Sequence, residues 1–347
     1  GLLLALVLAF AGQYLSKLIG IDLMGLPKSP ISAIMMAIIL GIVIRNTISL
    51  PVSLQPGIRF GLVRVLRLGI VLLGIRLSLG EAGAIGLQAL PVIIGAVAAA
   101  LLIVTYLARK MGLNGKLGTL IAVGTSICGA TAIVATAPTI AAKDDEVAYS
   151  VACITLFGVV AMLLYPFAGH FIFDGDAFKS GLFLGTAVHE TAQVAGSGLV
   201  YQQYYSDPQA LDVATVTKLV RNLGMLLVIP LMSILYHRKH SDGTEAPKWY
   251  TMVPLFVIGF AMMSLIRTVG DMGEQPFGGL LTPEQWKTIV GHTKESAELC
   301  LAIAMAAVGL GTSIKGLKDI GLKPLGAGLI AAVLVGGVSI SLISLLY

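Results

Sequence analysis

The 347-residue chain is 56% hydrophobic and 12% charged, with a formal net charge of +5 and a mean hydropathy of +0.92. A soluble domain carries about 25% charged residues, so a water-soluble globule is excluded, and with it the nucleic-acid partner that a pI of 9.1 would otherwise invite. Long apolar runs and the lack of alternating ten-residue strands predict an all-α polytopic membrane protein and not a β-barrel.

In chain order the apolar runs predict spans over 1–17, 31–45, 62–79, 90–107, 117–142, 147–173, 178–201, 213–236, 250–266, 295–314 and 325–346. The first has no basic n-region or small-residue cleavage site and is read as a span, not a cleaved signal. About eleven spans of roughly 20 residues leave no room for an extramembrane domain, so 1–347 is predicted to be one transmembrane transporter domain. Pro51 and Pro56, Asp174-Gly175-Asp176, Asp207-Pro208 and the stretch 271–283 mark loops. A short surface helix is expected at 282–289, where Thr282-Pro283-Glu284 is a helix start. Cys128, Cys153 and Cys300 sit in apolar stretches without metal or disulfide spacing, as buried thiols do.

Loop charge orients the chain, because Lys and Arg accumulate on the cytoplasmic side. Arg45/Arg59/Arg64, Arg109/Lys110/Lys116, Arg238/Lys239/Lys248 and Lys315/Lys318/Lys323 form one set. Glu81, Lys143-Asp144-Asp145-Glu146, Asp207/Asp212 and Asp271/Glu274/Glu284 form the other. The amino terminus is predicted inside and the carboxyl terminus outside, with 174–179 the one discordant loop. Two internal matches compete. Leu73–Leu79 pairs with Val308–Ile314 and continues through Ile85-Gly86-Leu87 beside Ile320-Gly321-Leu322, and Gly124–Gly129 pairs with Gly311–Gly316 through Thr312 and Ser313. Inverted repeats over roughly 31–173 and 178–347 are expected, with the register open.

Three regions are too polar for lipid-facing helix. In Gly124-Thr125-Ser126-Ile127-Cys128-Gly129-Ala130-Thr131, with Pro138 downstream, small and hydroxyl residues predict a helix broken in mid-membrane, tolerated only where it is buried or lines a cavity. The half-helix beyond would aim N–H groups at an anion; the plainer alternative is a small-residue helix contact. Gly185-Thr186-Ala187-Val188-His189-Glu190-Thr191-Ala192-Gln193 places ionisable groups at the centre of a span, a functional signature. The zinc motif HExxH fails there because position 193 is Gln. Arg76, Lys218, Arg221 and Asn222 form the third region. With few deep acids to neutralise them, these cations predict an anionic ligand, against an alternative of snorkelling to the headgroups. Gly181 and Gly185 form a GxxxG helix-contact pattern. No GxSxG, P-loop or mid-membrane Asp-Asp pair occurs, and no cofactor or metal is expected.

At these motifs the chain resembles the YeiH family of bacterial inner-membrane proteins, labelled as sulfate exporters. The likeness is carried by Leu72–Ser78, Gly124–Ala130, Val188–Val194, Lys218-Leu219-Val220-Arg221 and Ala304–Leu310. The resemblance implies membership of the bile-acid symporter and sodium–proton antiporter superfamily, with inverted repeats, interrupted crossing helices in a core bundle beside a panel, and a homodimer in the inner membrane. The expected function is secondary transport of a small anion by alternating access, with export of sulfate or a sulfonate-like oxyanion. Thr125, Ser126, Cys128, Gly129, His189, Glu190, Gln193, Lys218, Arg221, Asn222, Arg76, Thr312 and Ser313 are the expected binding residues. His189 and Glu190 are expected to couple flux to protons or sodium. A proton- or cation-coupled organic-acid carrier, or a passive anion channel, is the alternative. An enzyme is not expected, for want of a nucleophile–base pair or metal triad.

Overall fold

A computed structural model describes residues 1–23, 29, 31–237, 254–273, 275–313 and 322–347. Among these there is helix and no strand. The helices are α1 (Leu2–Lys17), α2 (Ala33–Thr47), α3 (Gln55–Phe60), α4 (Leu66–Leu73), α5 (Leu79–Ala99), α6 (Thr105–Lys110), α7 (Gly115–Ser126), α8 (Ala130–Thr136), α9 (Asp144–Ile172), α10 (Ala177–Ala187), α11 (Thr191–Tyr205), α12 (Gln209–Leu223), α13 (Met225–His237), α14 (Leu255–Gly270), α15 (Pro283–Gly311) and α16 (Leu322–Leu346). Among the described residues each predicted span coincides with one or more helices, and five stretches are long and apolar enough to cross a membrane: Leu2–Leu23, Leu79–Lys110, Asp144–Ile172, Gln209–Met232 and Lys323–Leu346.

Several boundaries differ from the sequence expectation; the span expected from 90 begins at Leu79, which puts Glu81 in the first turn of α5 and not in a loop. The helix expected at 282–289 is the opening of the 29-residue α15. Thr282 does cap it, with Gln285 closing a reciprocal capping box, but nothing in the following turns stops the helix. The run expected from 62 starts at α3, because Pro56 lies in its first turn, where a missing N–H costs nothing. Arg238, Lys239, Lys248, Glu274, Lys315 and Lys318 lie outside the described residues, as do positions 314–316 and 320–321 of the internal matches.

The chain divides into two compact units that interleave in sequence. The first comprises Gly1–Leu87, Gly198–Asp212 and Leu255–Ser313. Its core joins Ala5, Leu8, Ala37, Ile58, Ala306, Ala307 and Leu310, drawn from α1, α2, α3 and α15. Small residues permit this closeness: a Cβ on Gly309 would stand 2.9 Å from the Gly41 Cα. The second unit comprises Gln88–Ser197, Val213–Pro254 and Ile314–Tyr347. There Val104, Leu120, Ile121, Ile133, Ile154 and Ala331 form one cluster. Val123, Ile127, Cys128 and Ala132 pack with Met225, Val228 and Ile229 of α13 in another.

Candidate functional site

Among the described residues of the second unit, two short non-helical breaks, after α7 and after α10, lie within predicted spans. The first is the expected one. α7 ends at Ser126, Ile127 leaves helical geometry at φ −123°, ψ −95°, and Gly129 turns the chain at φ 69°, ψ −126° before α8. Only glycine adopts that left-handed conformation without strain. The second interruption was not expected. α10 ends at Ala187, Val188 is extended at φ −82°, ψ 139°, and α11 begins at Thr191. No glycine or proline marks it, so the sequence reads as continuous polar helix.

What holds both breaks open is on α12. Lys218 and Arg221, three apart on one face, are fully buried. Lys218 Nζ donates to the carbonyls of Ile127 (2.7 Å), Val188 (3.3 Å) and His189. Arg221 Nε donates to the Ser126 carbonyl (2.7 Å), Nη1 to Thr186 (2.6 Å) and Val188 (3.3 Å), and Nη2 to Thr125. The acceptors are the carbonyls that an α-helix leaves unpaired at its carboxyl end. The two cations therefore satisfy the ends of α7 and α10 together and bind one break to the other.

The expectation that these cations stand unpaired is corrected here. Each helix carboxyl end carries about −0.5 charge and each amino end about +0.5, so the ends of α7 and α10 are offset by the starts of α8 and α11, and the Glu190 carboxylate neutralises one of the two cations. The anion expected at the α8 amino end is likewise the protein's own. Thr155 Oγ1 donates to Glu190 Oε1 (2.9 Å), and the Glu190 side chain lies against the turn before α8, where a Cβ on Gly129 would stand 2.5 Å from Glu190 Cγ. Nor do the Thr125 and Ser126 hydroxyls wait for an oxyanion; they donate to Ile121 O (2.7 Å) and Val123 O (2.9 Å) of their own helix.

Gln193 braces the second break, accepting from the Glu190 amide (3.1 Å) and donating to the Thr155 carbonyl (3.0 Å). It fits because residue 158 is glycine: an added Cβ would stand 2.6 Å from Gln193 Cδ and closer still to Oε1. Gly158→Ala should therefore destabilise the protein by about 1 kcal/mol. Two hydrogen bonds of about 1 kcal/mol each are lost against roughly 1 kcal/mol of helix propensity gained. Gly337→Ala, with nothing within 4 Å, keeps only the gain. Thermal unfolding in detergent should move the two midpoints in opposite directions.

Asn222 Nδ2 donates to Thr191 Oγ1 (3.2 Å), and the Cys128 thiol meets the Met225 sulfur at 3.4 Å. The His189 side chain is fully buried, and neither ring nitrogen has a partner; Asn222 Oδ1 also has none. Gly185 of the GxxxG pattern packs on α12, where a Cβ would stand 2.6 Å from Thr217 Cβ. Among the described residues no three His, Cys, Asp or Glu side chains gather as a metal site would require.

Ten expected residues thus lie in the second unit: Thr125, Ser126, Cys128, Gly129, His189, Glu190, Gln193, Lys218, Arg221 and Asn222. Arg76, Thr312 and Ser313 belong to the first. Arg76 is not an unpaired cation. Its Nε meets Asp212 at 2.6 Å and its Nη1 meets Glu298 at 3.2 Å, while Gln202 accepts from Nη2 (3.3 Å) and donates to Glu298 (2.9 Å). The Thr312 hydroxyl donates to Val308 O (2.8 Å), and its carbonyl accepts from Asn46 (3.0 Å). Sequence reasoning missed Thr155 and Gly158. Their signal was a hydroxyl and a glycine three apart in the apolar α9.

The profile of a family described as Conserved hypothetical protein 698 matches residues 1–328. The chain belongs to this family. A UPF0324 membrane protein of Fusobacterium nucleatum is 33% identical over 347 residues, covering 99% of this chain and 96% of the relative. One of Streptococcus pyogenes is 34% identical over 346 residues (99% and 95%), and one of Bacillus cereus 32% over 339 (96% and 90%). No solved structure matches. The UPF0324 relatives are named as membrane proteins, the resemblance to the YeiH family agrees with this membership, and with its apolar spans the chain is a multi-pass membrane protein.

Proposed function

We propose that this protein is a secondary transporter that carries a small anion together with a proton, with Glu190 as the proton-bearing group. The observation that carries the reading is the paired interruption. Two broken helices are held end to end by buried Lys218 and Arg221, and an ionisable Glu190 offsets one of their two charges. Unwound backbone at membrane depth belongs where it is buried in protein or lines a transport cavity. Protonation of Glu190 would add one positive charge to the site, and a monovalent anion would offset it. Proton and anion would then load together. Transport in place of catalysis, about eleven spans in inverted repeats, alternating access and a homodimeric inner-membrane protein follow from the family resemblance. So does an inside amino terminus from loop charge, as does the export of sulfate or sulfonates from the family label.

The test is flux in liposomes holding purified protein, with labelled sulfate and a sulfonate panel, with and without a pH gradient. Protein-dependent flux that the pH gradient accelerates is expected; no flux of any panel member above protein-free liposomes overturns the reading. The lone carboxylate beside Thr155 supports one rival, in which Glu190 holds sodium. Flux that follows a sodium gradient and ignores pH would select it.

A further inference from the structure

Nearly every hydrogen-bond donor around the two breaks is already taken. All three Lys218 protons and four of the five Arg221 N–H groups point at carbonyls. The Thr125, Ser126 and Thr186 hydroxyls donate within their own helices. Thr155 donates to Glu190 and Gln193 to Thr155. Among the described residues the buried polar atoms left over beside Lys218 are the two His189 ring nitrogens, Asn222 Oδ1 and Thr217 Oγ1. They share one neighbourhood: Lys218 bonds the His189 carbonyl, and Asn222, one helical turn beyond Lys218, bonds Thr191. Buried polar atoms are almost always partnered, so these await something that enters.

A neutral imidazole offers one donor and one acceptor, a hydroxyl both donates and accepts, and an amide oxygen only accepts. The vacant set is therefore richer in acceptors than in donors. Sulfate has acceptors only; it could pair with the His189 N–H and the Thr217 hydroxyl and would leave the other His189 nitrogen and Asn222 Oδ1 buried and unsatisfied, at about 1–3 kcal/mol each. We propose that the transported species is an organic anion carrying its own hydrogen-bond donor, a hydroxy- or amino-substituted sulfonate or carboxylate, bound through His189 and Asn222, in preference to bare sulfate. This rests on the transporter reading above and narrows its substrate. The donor of the ligand meets Asn222 Oδ1 or the His189 acceptor nitrogen. Its anionic end meets the His189 N–H in the field of Lys218 and Arg221.

The experiment compares isethionate, ethanesulfonate and sulfate in the same liposomes. The first two share charge and carbon skeleton and differ only by the terminal hydroxyl, which ethanesulfonate replaces with hydrogen. Isethionate flux should exceed ethanesulfonate flux at least about tenfold, as a site built to bond a substrate hydroxyl discriminates, and should exceed sulfate flux. In Asn222→Leu or His189→Phe, whichever elutes monodisperse, the isethionate-to-ethanesulfonate ratio should fall toward one. Equal fluxes in the wild type, or sulfate fastest, overturns this proposal and leaves the transporter reading standing. An unchanged ratio in a folded variant overturns the residue assignment. No flux of any of the three sinks the transporter reading and this proposal with it.

Discussion

Arg221→Ala is expected to be lost to misfolding before its transport can be measured, with destabilisation of about 3–5 kcal/mol, the range for removing one partner of a buried charged network. The guanidinium reaches four carbonyls, of Thr125, Ser126, Thr186 and Val188, at the ends of two different helices. Removing it leaves those acceptors buried without water and the two negative helix ends facing each other with only Lys218 between them. Lysine should not rescue the site. Its three protons on a single nitrogen cannot span acceptors that Arg221 reaches with a planar fork. The measurement is the thermal midpoint of detergent-solubilised protein, with monodispersity on gel filtration as the second readout. A wild-type midpoint for Arg221→Ala would show that the breaks stand without it, and the account of the site would fall.

How much of this was legible in the sequence depends on whether a residue's role is local or made at a distance. The helices were legible, because lipid-length apolar runs are a local property. So was the first break, where Gly129 supplies the conformation other residues avoid. The second break was not. Val188, His189 and Glu190 have no local reason to leave a helix, and the cause is Lys218 and Arg221, some thirty residues downstream. The same distance effect misread the cations. Their charge was visible, but their partners are backbone carbonyls, which every residue has and no pattern reveals. Arg76 looked unpaired because Asp212 and Glu298 are remote in sequence and meet it only in the fold. Thr282 shows the converse: a local cap signal placed the start of α15 correctly and could say nothing of its length.

Glu190→Gln is expected to leave the fold intact and abolish net proton-driven flux while anion exchange across the membrane continues. The amide keeps the shape of the carboxyl, so Thr155 can still donate to its oxygen and the packing against Gly129 is preserved. What changes is charge. With glutamine the site keeps one more positive charge than with glutamate, the state in which an anion is welcome. Loaded carrier can cross in either direction, so labelled anion inside should swap with unlabelled anion outside. Empty carrier must return across the membrane with a bare positive charge in a desolvated site, and burying such a charge is costly. The cycle should therefore stall at the return step. In the wild type, losing the Glu190 proton removes that extra charge and lowers the barrier. The measurement pairs two assays on one preparation, net uptake driven by a pH gradient and equal-concentration exchange with the gradient collapsed. Net uptake that the pH gradient stimulates as in the wild type would place the coupling proton elsewhere. Loss of both activities in a monodisperse protein would make Glu190 a binding group and not the coupling group. Only the split outcome, exchange without net flux, supports a carboxylate whose charge permits the empty carrier to reset.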